Sequence, residues 1–138
     1  MDYLYYPSND WFSHLKIKIM KIFNNIFLRK KILIYGLGKS GISSYKFLKN
    51  KSDVYLFDDN QKNNLRLKKK IINLEQIQII NFDRIIISPG IDISNCKLSK
   101  FLKKNLKKVH TDLDVLFSFY DNESITITGT NGKSTTAK

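Results

Sequence analysis

The chain contains a single cysteine and two prolines, and it has no long apolar run. One cysteine, Cys96, cannot form a disulfide within the chain, which is typical of proteins from a reducing compartment. Without a run of about eighteen apolar residues, the sequence predicts no transmembrane helix. It also predicts no signal peptide, because lysines interrupt the apolar residues near the start and no small-residue cleavage site follows. These absences favour a cytoplasmic protein.

Acidic residues are scarce, since 12 Asp and Glu stand against 24 Lys and Arg, for a formal charge of +12. A basic balance suits anionic partners such as nucleic acid, acidic lipid or phosphorylated substrates. The lysines are nevertheless spread along the whole chain beside abundant isoleucine and asparagine, as a codon bias toward A and T would also produce. The charge alone therefore identifies no partner, and we predict no nucleic-acid binding.

Between residues 11 and 28, apolar side chains recur every three or four positions, which predicts an amphipathic helix. Its apolar face comprises Phe12, Leu15, Ile19, Ile22, Phe23 and Ile26. We expect this helix to pack on the following domain or on a partner domain. The alternative is peripheral contact with an anionic membrane surface, since lysines and Trp11 accompany the apolar face.

From residue 31 onward, short apolar runs alternate with helical patterns in a chain long enough for one ordinary domain. The predicted strands are 32–35, 54–57, 71–72, 85–87, 109 and 125–128. The predicted helices are 40–50, 98–106 and 112–120, and 61–70 is predicted as a polar loop with a helical turn. This alternation predicts an α/β fold, with a Rossmann-like, doubly wound and mainly parallel sheet.

The first glycine-rich loop, residues 36–41, reads Gly-Leu-Gly-Lys-Ser-Gly and joins a predicted strand to a predicted helix. Gly36 allows a tight turn, Gly38 lets the backbone approach a pyrophosphate, and Gly41 lets the helix pack on the strand. The helix N-terminus then offers free N–H groups to an anion. Asp58 ends the second strand, where its carboxylate can accept hydrogen bonds from a ribose or a base. Taken alone, this pattern is typical of an NAD- or FAD-binding module.

A second phosphate loop follows the last predicted strand and is a candidate site for ATP and Mg²⁺. Its residues are Gly129, Thr130, Asn131, Gly132, Lys133, Ser134 and Thr135. Lys133 can neutralise phosphate charge, and the hydroxyl of Ser134 can join the Mg²⁺ shell. The loop departs from the full G-x-x-x-x-G-K-[ST] pattern, because Ile127 stands where that pattern has its first glycine. Two phosphate loops indicate two nucleotide ligands, namely ATP and a substrate carried on a nucleotide.

Residues 127–136, Ile-Thr-Gly-Thr-Asn-Gly-Lys-Ser-Thr-Thr, resemble the ATP loop of the Mur ligase family. The 36–41 loop, Asp58, the Ser-Pro-Gly-Ile segment 88–91 and residues 111–117 are similar to the branch of that family that adds D-glutamate. The resemblance covers about residues 31–138. The L-alanine-adding branch is the near alternative, but it usually has consecutive glycines where Lys39 follows Gly38 here.

The resemblance implies peptidoglycan precursor synthesis in the bacterial cytoplasm by an ATP-dependent, amide-forming ligase. Its substrates would be UDP-N-acetylmuramoyl-L-alanine, D-glutamate and ATP, with Mg²⁺, and the carboxylate would react as an acyl phosphate. By matching position, Lys39 and Ser40 would lie near the diphosphate and Asp58 near the uracil. The remaining implied contacts are Ser88, Pro89 and Gly90 along the nucleotide, and Lys133, Ser134 and Thr135 at ATP.

Two departures from the family pattern limit what the resemblance implies. Asp59 and Asn60 follow Asp58 where the family often has Thr and Arg, so a contact from that arginine is not expected. The family also places its central ATPase domain, its D-glutamate domain and its catalytic metal ligands downstream of residue 138. We therefore expect an extension at 1–29, a UDP-binding domain at 30–122 and the start of the ATPase domain at 123–138. Such a chain is expected to be a monomer and inactive alone.

Overall fold

A four-stranded parallel sheet forms the centre of the computed structural model, which describes residues 25–60 and 65–120. The strands are β1 (Lys31–Tyr35), β2 (Asp53–Phe57), β3 (Arg84–Ile87) and β4 (Val109–His110), in the spatial order β2-β1-β3-β4. The described residues confirm the predicted α/β fold with parallel strands. The strand predicted at 125–128 and the second phosphate loop lie outside them, and the three-part domain division stays a prediction.

In residues 25–60 and 65–120, four α-helices connect and follow these strands. They are α1 (Lys39–Leu48), α2 (Leu74–Ile79), α3 (Ser99–Lys104) and α4 (Asp112–Phe119), with 3-10 helices at Leu65–Lys70 and Leu106–Lys108. None of the helices in the described ranges is long and apolar enough to cross a membrane.

Both faces of the sheet are buried, because successive side chains of a strand point to opposite faces. On β1, Ile32 and Ile34 pack in one cluster, which includes Leu48 of α1 and Val115 of α4. Leu33 and Tyr35 pack in the other cluster, which includes residues of α2 and α3. The run of four apolar residues is therefore a central strand covered by helices on both sides.

The strand order creates a topological switch point between β1 and β3. From β1 the chain crosses to β2 on one side and then returns to β3 on the other. At the carboxyl ends, Tyr35 pairs with Ile87 in parallel register. Ligands of open α/β sheets bind in the crevice outside such a point. Both the 36–41 loop and the Ser-Pro-Gly turn begin there.

The strand predicted at 71–72 is wrong, and a helix after it was missed. Ile71 makes only an isolated bridge to Leu56, so no strand forms there. The pairing stops because Asn73 caps the N-terminus of α2: its side chain accepts from the N–H of Gln76, whose own side chain accepts from the N–H of Asn73. This capping box was legible in the sequence as Asn-x-x-Gln followed by the apolar positions Ile77, Ile79 and Ile80.

Other predicted boundaries shift by a few residues. The helix predicted at 40–50 begins and ends two or fewer residues earlier, as Lys39–Leu48, and the one predicted at 98–106 is Ser99–Lys104. The helix predicted at 112–120 is Asp112–Phe119, and the strand predicted at 109 is β4. The loop predicted at 61–70 has its helical turn in the 3-10 helix Leu65–Lys70.

The described end of the amphipathic helix predicted at 11–28 is a turn and not a helix, while residues 11–24 lie outside the described ranges. The side chain of Asn25 accepts from the N–H of Phe27 at 2.9 Å, and a backbone bond from Leu28 to Asn25 closes the turn. Arg29 then adopts a positive φ of 56°. The predicted apolar face of the helix included Ile26, but Ile26 is exposed and Phe27 is the buried residue.

We expect Phe27→Ala to lower the unfolding free energy by about 3–5 kcal/mol, because it removes a fully buried ring from the core. Ile26→Ala is the matched control, since Ile26 is 39% exposed, and it should cost less than about 1 kcal/mol. Urea unfolding of the two variants measures the difference. Equal losses would mean that Phe27 does not belong to the core.

His110 of β4 is a half-buried basic group next to Phe27. Its ring meets that of Phe27 edge-on at 5.2 Å between centroids, and its Nε2 has no hydrogen-bond partner among the described residues. Burial and the neighbouring Arg84 lower the pKa of His110 below its ordinary 6.5, and Asp114 opposes them. The folded protein therefore binds this proton less readily than the unfolded chain does.

Because of this lowered pKa, stability should be full above pH 6.5 and should fall as the pH drops below it. Urea unfolding between about pH 5.5 and 7.5, where carboxyl groups titrate little, measures the slope. His110→Gln should flatten that slope, whereas substitution of the chain's other histidine, His14→Gln, should leave it unchanged. A slope that His14→Gln removes instead would refute the assignment.

Candidate nucleotide-binding site

Gly36 makes the turn out of β1 with a positive φ of 92°, which side chains disfavour. Its N–H donates to the carbonyl of Phe57 at 2.9 Å, so the ladder between β1 and β2 extends to the turn. The chain then reverses direction into α1. The sequence prediction of a tight glycine turn at this position is therefore confirmed.

The 36–41 loop is packed tightly against the end of β3. A Cβ on Gly36 would stand 2.9 Å from the Cβ of Ser88, and a Cβ on Gly41 would overlap the carbonyl oxygen of Gly36. The hydroxyl of Ser88 donates to that same carbonyl at 2.7 Å. Ser88 thus holds the loop, whereas Pro89 and Gly90 next to it are exposed.

The N-terminus of α1 is open to solvent and has no capping side chain among the described residues. Gly38 is its N-cap, and a Cβ there would meet nothing within 4 Å. The first N–H bonded within the helix belongs to Ile42, which donates to Gly38. The N–H groups of Lys39, Ser40 and Gly41 precede it and point, as in any helix, toward the N-terminal end. An anion at this end would meet these N–H groups and the positive end of the helix dipole.

Asp58 follows β2 and lies beside the 36–41 loop, on the side away from β3. One carboxylate oxygen accepts from the N–H of Leu37 at 2.5 Å, and the other accepts from the N–H of Asn60 at 2.7 Å. A carboxylate has about four lone-pair positions, so about two remain for a ligand. The carboxylate accepts hydrogen bonds only, and its bond to the N–H of Leu37 holds it next to Gly36 and Gly38.

Sequence reasoning did not assign Asp59 to the site, although a neighbouring side chain fixes its carboxylate. The hydroxyl of Tyr35 donates to both of its oxygens at 2.9 Å, and Lys97 donates to its backbone carbonyl at 2.9 Å. Burial raises the pKa of Tyr35 well above its usual value, and the neighbouring Cys96 and Asp59 raise it further. Tyr35 therefore keeps its proton and acts as a donor that fixes the loop after β2.

Asp112 was also missed as a part of the site. The hydroxyl of Ser40 donates to the carboxylate of Asp112 at the start of α4. That contact joins residues 72 positions apart, and no local pattern announces it. It leaves the backbone N–H of Ser40, and not its hydroxyl, facing the open helix end. It also brings a negative charge close to the first turn of α1.

The structure thus brings seven of the nine residues predicted for the UDP site into one crevice rim, with the exposed Pro89 and Gly90 at its edge. Those in the rim are Gly36, Gly38, Lys39, Ser40, Gly41, Asp58 and Ser88. All residues predicted for ATP and Mg²⁺, from Gly129 to Thr135, lie outside the described residues. Within the described ranges, no three His, Cys, Asp or Glu side chains cluster as a metal site would require.

In a comparison with known protein families, residues 30–110 match the model of the Mur ligase MurD-like, N-terminal domain. The match ends at β4 and includes both the 36–41 loop and the Ser-Pro-Gly turn.

Similar curated proteins are named UDP-N-acetylmuramoylalanine–D-glutamate ligase. The protein of Rickettsia conorii is 40% identical over 118 residues, covering 81% of this chain and 23% of its own length. That of Aquifex aeolicus is 37% identical over 109 residues, covering 78% and 24%. That of Buchnera aphidicola is 34% identical over 122 residues, covering 81% and 27%. The chain thus spans about a quarter of these relatives, and no solved structure matches it significantly.

We expect Gly36→Ala to destabilise the fold by about 2–4 kcal/mol, because a Cβ adds strain at positive φ and meets Ser88. Gly38→Ala is the control within the same loop and should cost less than about 1 kcal/mol, because its Cβ would enter open space. Urea unfolding of both variants measures this. If Gly38→Ala were the more destabilising change, the loop would have a different conformation.

Proposed function

Because the chain belongs to the Mur ligase family, through its MurD-like N-terminal domain, we propose that it is the UDP-binding part of a D-glutamate-adding ligase. The full reaction would join D-glutamate to UDP-N-acetylmuramoyl-L-alanine with the consumption of ATP. It would take place in the bacterial cytoplasm and would supply peptidoglycan precursors. The names and the 34–40% identity of the relatives support this substrate choice over the L-alanine-adding branch.

One observation carries the proposal: the open N-terminus of α1 and the Asp58 carboxylate lie at the same end of the sheet and meet through Leu37. The N–H groups at the start of α1 suit the diphosphate of a UDP-sugar. Lys39, exposed at the first helical position, adds a positive charge to that end. Gly38 leaves room for the phosphate oxygens to approach the backbone.

Ser40 would serve the diphosphate through its N–H, since its hydroxyl is engaged with Asp112. The nearby carboxylate repels an anion, so the N–H groups and Lys39 must outweigh it for the diphosphate to bind. Ser88 would act indirectly, by holding the loop, and the exposed Pro89 and Gly90 would line the nucleotide.

Asp58 would read the uracil. The N3–H of uracil is a donor, and a carboxylate that already accepts two backbone N–H groups is an acceptor in a fixed orientation. Asp59 differs from Asp58 in its partner, since the hydroxyl of the buried Tyr35 donates to both of its oxygens and fixes the loop after β2. We therefore assign the uracil contact to Asp58 and a structural role to Asp59.

The ATP part of the proposal rests on the sequence. Gly129 to Thr135 would bind ATP, with Lys133 at the phosphates and Ser134 in the Mg²⁺ shell. The substrate carboxylate would react as an acyl phosphate, which the amine of D-glutamate attacks as phosphate leaves. The residues that position D-glutamate would belong to the part of the relatives that this chain does not match.

Calorimetric titration of the full chain with UDP-N-acetylmuramoyl-L-alanine tests the proposal. Asp58→Asn should weaken binding about tenfold or more, because one acceptor oxygen becomes a donor facing a donor. Asp53→Asn is the matched control, since this exposed carboxylate lies at the opposite end of β2 and should leave the affinity unchanged. Lys133→Ala should also leave it unchanged, because the second loop serves ATP.

The same titration separates this proposal from the NAD-binding alternative. A preference for NADH over the UDP-linked substrate would overturn the ligase assignment. A large loss of UDP-substrate affinity in Lys133→Ala would show that the two loops have been assigned wrongly. Urea unfolding of each variant distinguishes lost binding from lost structure.

A further inference from the structure

A single peptide unit links a lysine of the segment after β3 to the carboxylate of Asp58. It is the peptide between Asp59 and Asn60. Its carbonyl oxygen accepts from Nζ of Lys97 at 2.9 Å, and its N–H donates to Asp58 at 2.7 Å. The C=O and the N–H of a trans peptide point in opposite directions, so this peptide lies between the ammonium and the carboxylate. Lys97 therefore reaches Asp58 through one rigid group.

The backbone of Lys97 is held on both sides, just before α3. Leu98 is buried, and Cys96 and Leu98 both pack in the same cluster as Tyr35. The carbonyl of Cys96 accepts from the N–H of Ser99 at 3.0 Å. The exposed side chain of Lys97 thus extends from a fixed backbone to the loop after β2.

Three contacts hold the loop after β2, and each acts on a different group. The N–H of Leu37 holds the carboxylate of Asp58, and the hydroxyl of Tyr35 holds the carboxylate of Asp59. Lys97 makes the one hydrogen bond that joins residues 88–98 to residues 58–60, all of which the structure describes. Since the other two contacts act on side chains, Lys97 is the contact that sets the direction of the 59–60 peptide.

Charge determines which way this peptide points. If the peptide flipped, its carbonyl oxygen would face the carboxylate of Asp58 and its N–H would face the ammonium of Lys97, and both contacts would be repulsive. In the observed direction, the hydrogen bonds at its two ends polarise the peptide in the same sense and strengthen each other. Without the ammonium, a flip would carry one penalty and not two. The bond from Asn60 to Asp58 would then be formed for less of the time.

We propose that Lys97 is a positioning residue for base recognition, which acts on Asp58 through the 59–60 peptide. The proposal rests on the proposed function, because it takes Asp58 as the acceptor for the N3–H of uracil. A carboxylate in a fixed orientation favours a base with a hydrogen on N3, as uracil has, over cytosine, whose N3 is an acceptor. Lys97 therefore contributes to the preference for uracil without touching the base.

Hydrogen exchange without any nucleotide, followed by NMR, tests the positioning itself. In the full chain, Lys97→Met should speed exchange of the Asn60 amide about fivefold, because its bond to Asp58 is formed for less of the time. Lys97→Arg should restore slow exchange, since a guanidinium N–H also donates to a carbonyl. Lys100→Met is the matched control: it removes an exposed lysine of α3 that does not bond to the loop after β2, and should change nothing.

Calorimetric titration with UDP and with CDP tests the consequence for recognition. The preference for UDP over CDP should fall about fivefold in Lys97→Met, as a weakened acceptor predicts, and should persist in Lys97→Arg and Lys100→Met. Asp58→Asn should remove the preference. Because Lys97 acts through Asp58, adding Lys97→Met to Asp58→Asn should reduce it no further.

The outcomes separate this proposal from the function on which it rests. An Asn60 amide that exchanges equally fast in Lys97→Met and Lys100→Met would overturn the positioning role alone. An affinity loss in Lys97→Met that is equal for UDP and CDP and shrinks at high salt would make Lys97 a direct contact of the diphosphate, which also overturns it. An unaltered chain that binds CDP as tightly as UDP would remove the uracil contact of Asp58 together with this proposal.

Discussion

The contact between Gly36 and Ser88 is the constraint on which the rest of the site depends. It brings the ends of β1 and β3 closer than any side chain on Gly36 would permit, and a hydrogen bond from Ser88 closes it. Since α1 starts three residues after Gly36 and packs on the same carbonyl through Gly41, its direction follows from this contact. The open N–H groups face the crevice because the loop has no freedom to turn elsewhere.

The parallel sheet and the glycine turn after β1 could be predicted from the sequence, because both depend on local pattern. Four consecutive apolar residues in β1 predict a strand covered on both faces, and the glycine spacing predicts the turn after it. All six glycines of the chain fall in the two phosphate loops and the Ser-Pro-Gly turn. The structure separates their roles: Gly36 and Gly41 are required by packing, whereas Gly38 only leaves space.

The features that could not be predicted are non-local or depend on competition between structures. Ser40 and Asp112 meet across 72 positions, and Tyr35 reaches Asp59 only because β1 and β2 lie in register. At Ile71 the apolar pattern predicted a strand, but the helix cap at Asn73 ends the pairing. Two side-chain hydrogen bonds form this cap, and apolar content does not reveal them. The second phosphate loop stays a prediction from sequence.

The bond between Asn25 and Ser118 joins positions 93 residues apart, and it has a consequence for synthesis on the ribosome. Asn25 emerges early, whereas α4 emerges only after the four strands of the described residues have been made. Until then the cluster around Phe27 lacks Val115, which α4 contributes. Packing of α4 therefore completes the core around Phe27 late in synthesis and ties Asn25 to the last helix of the described residues.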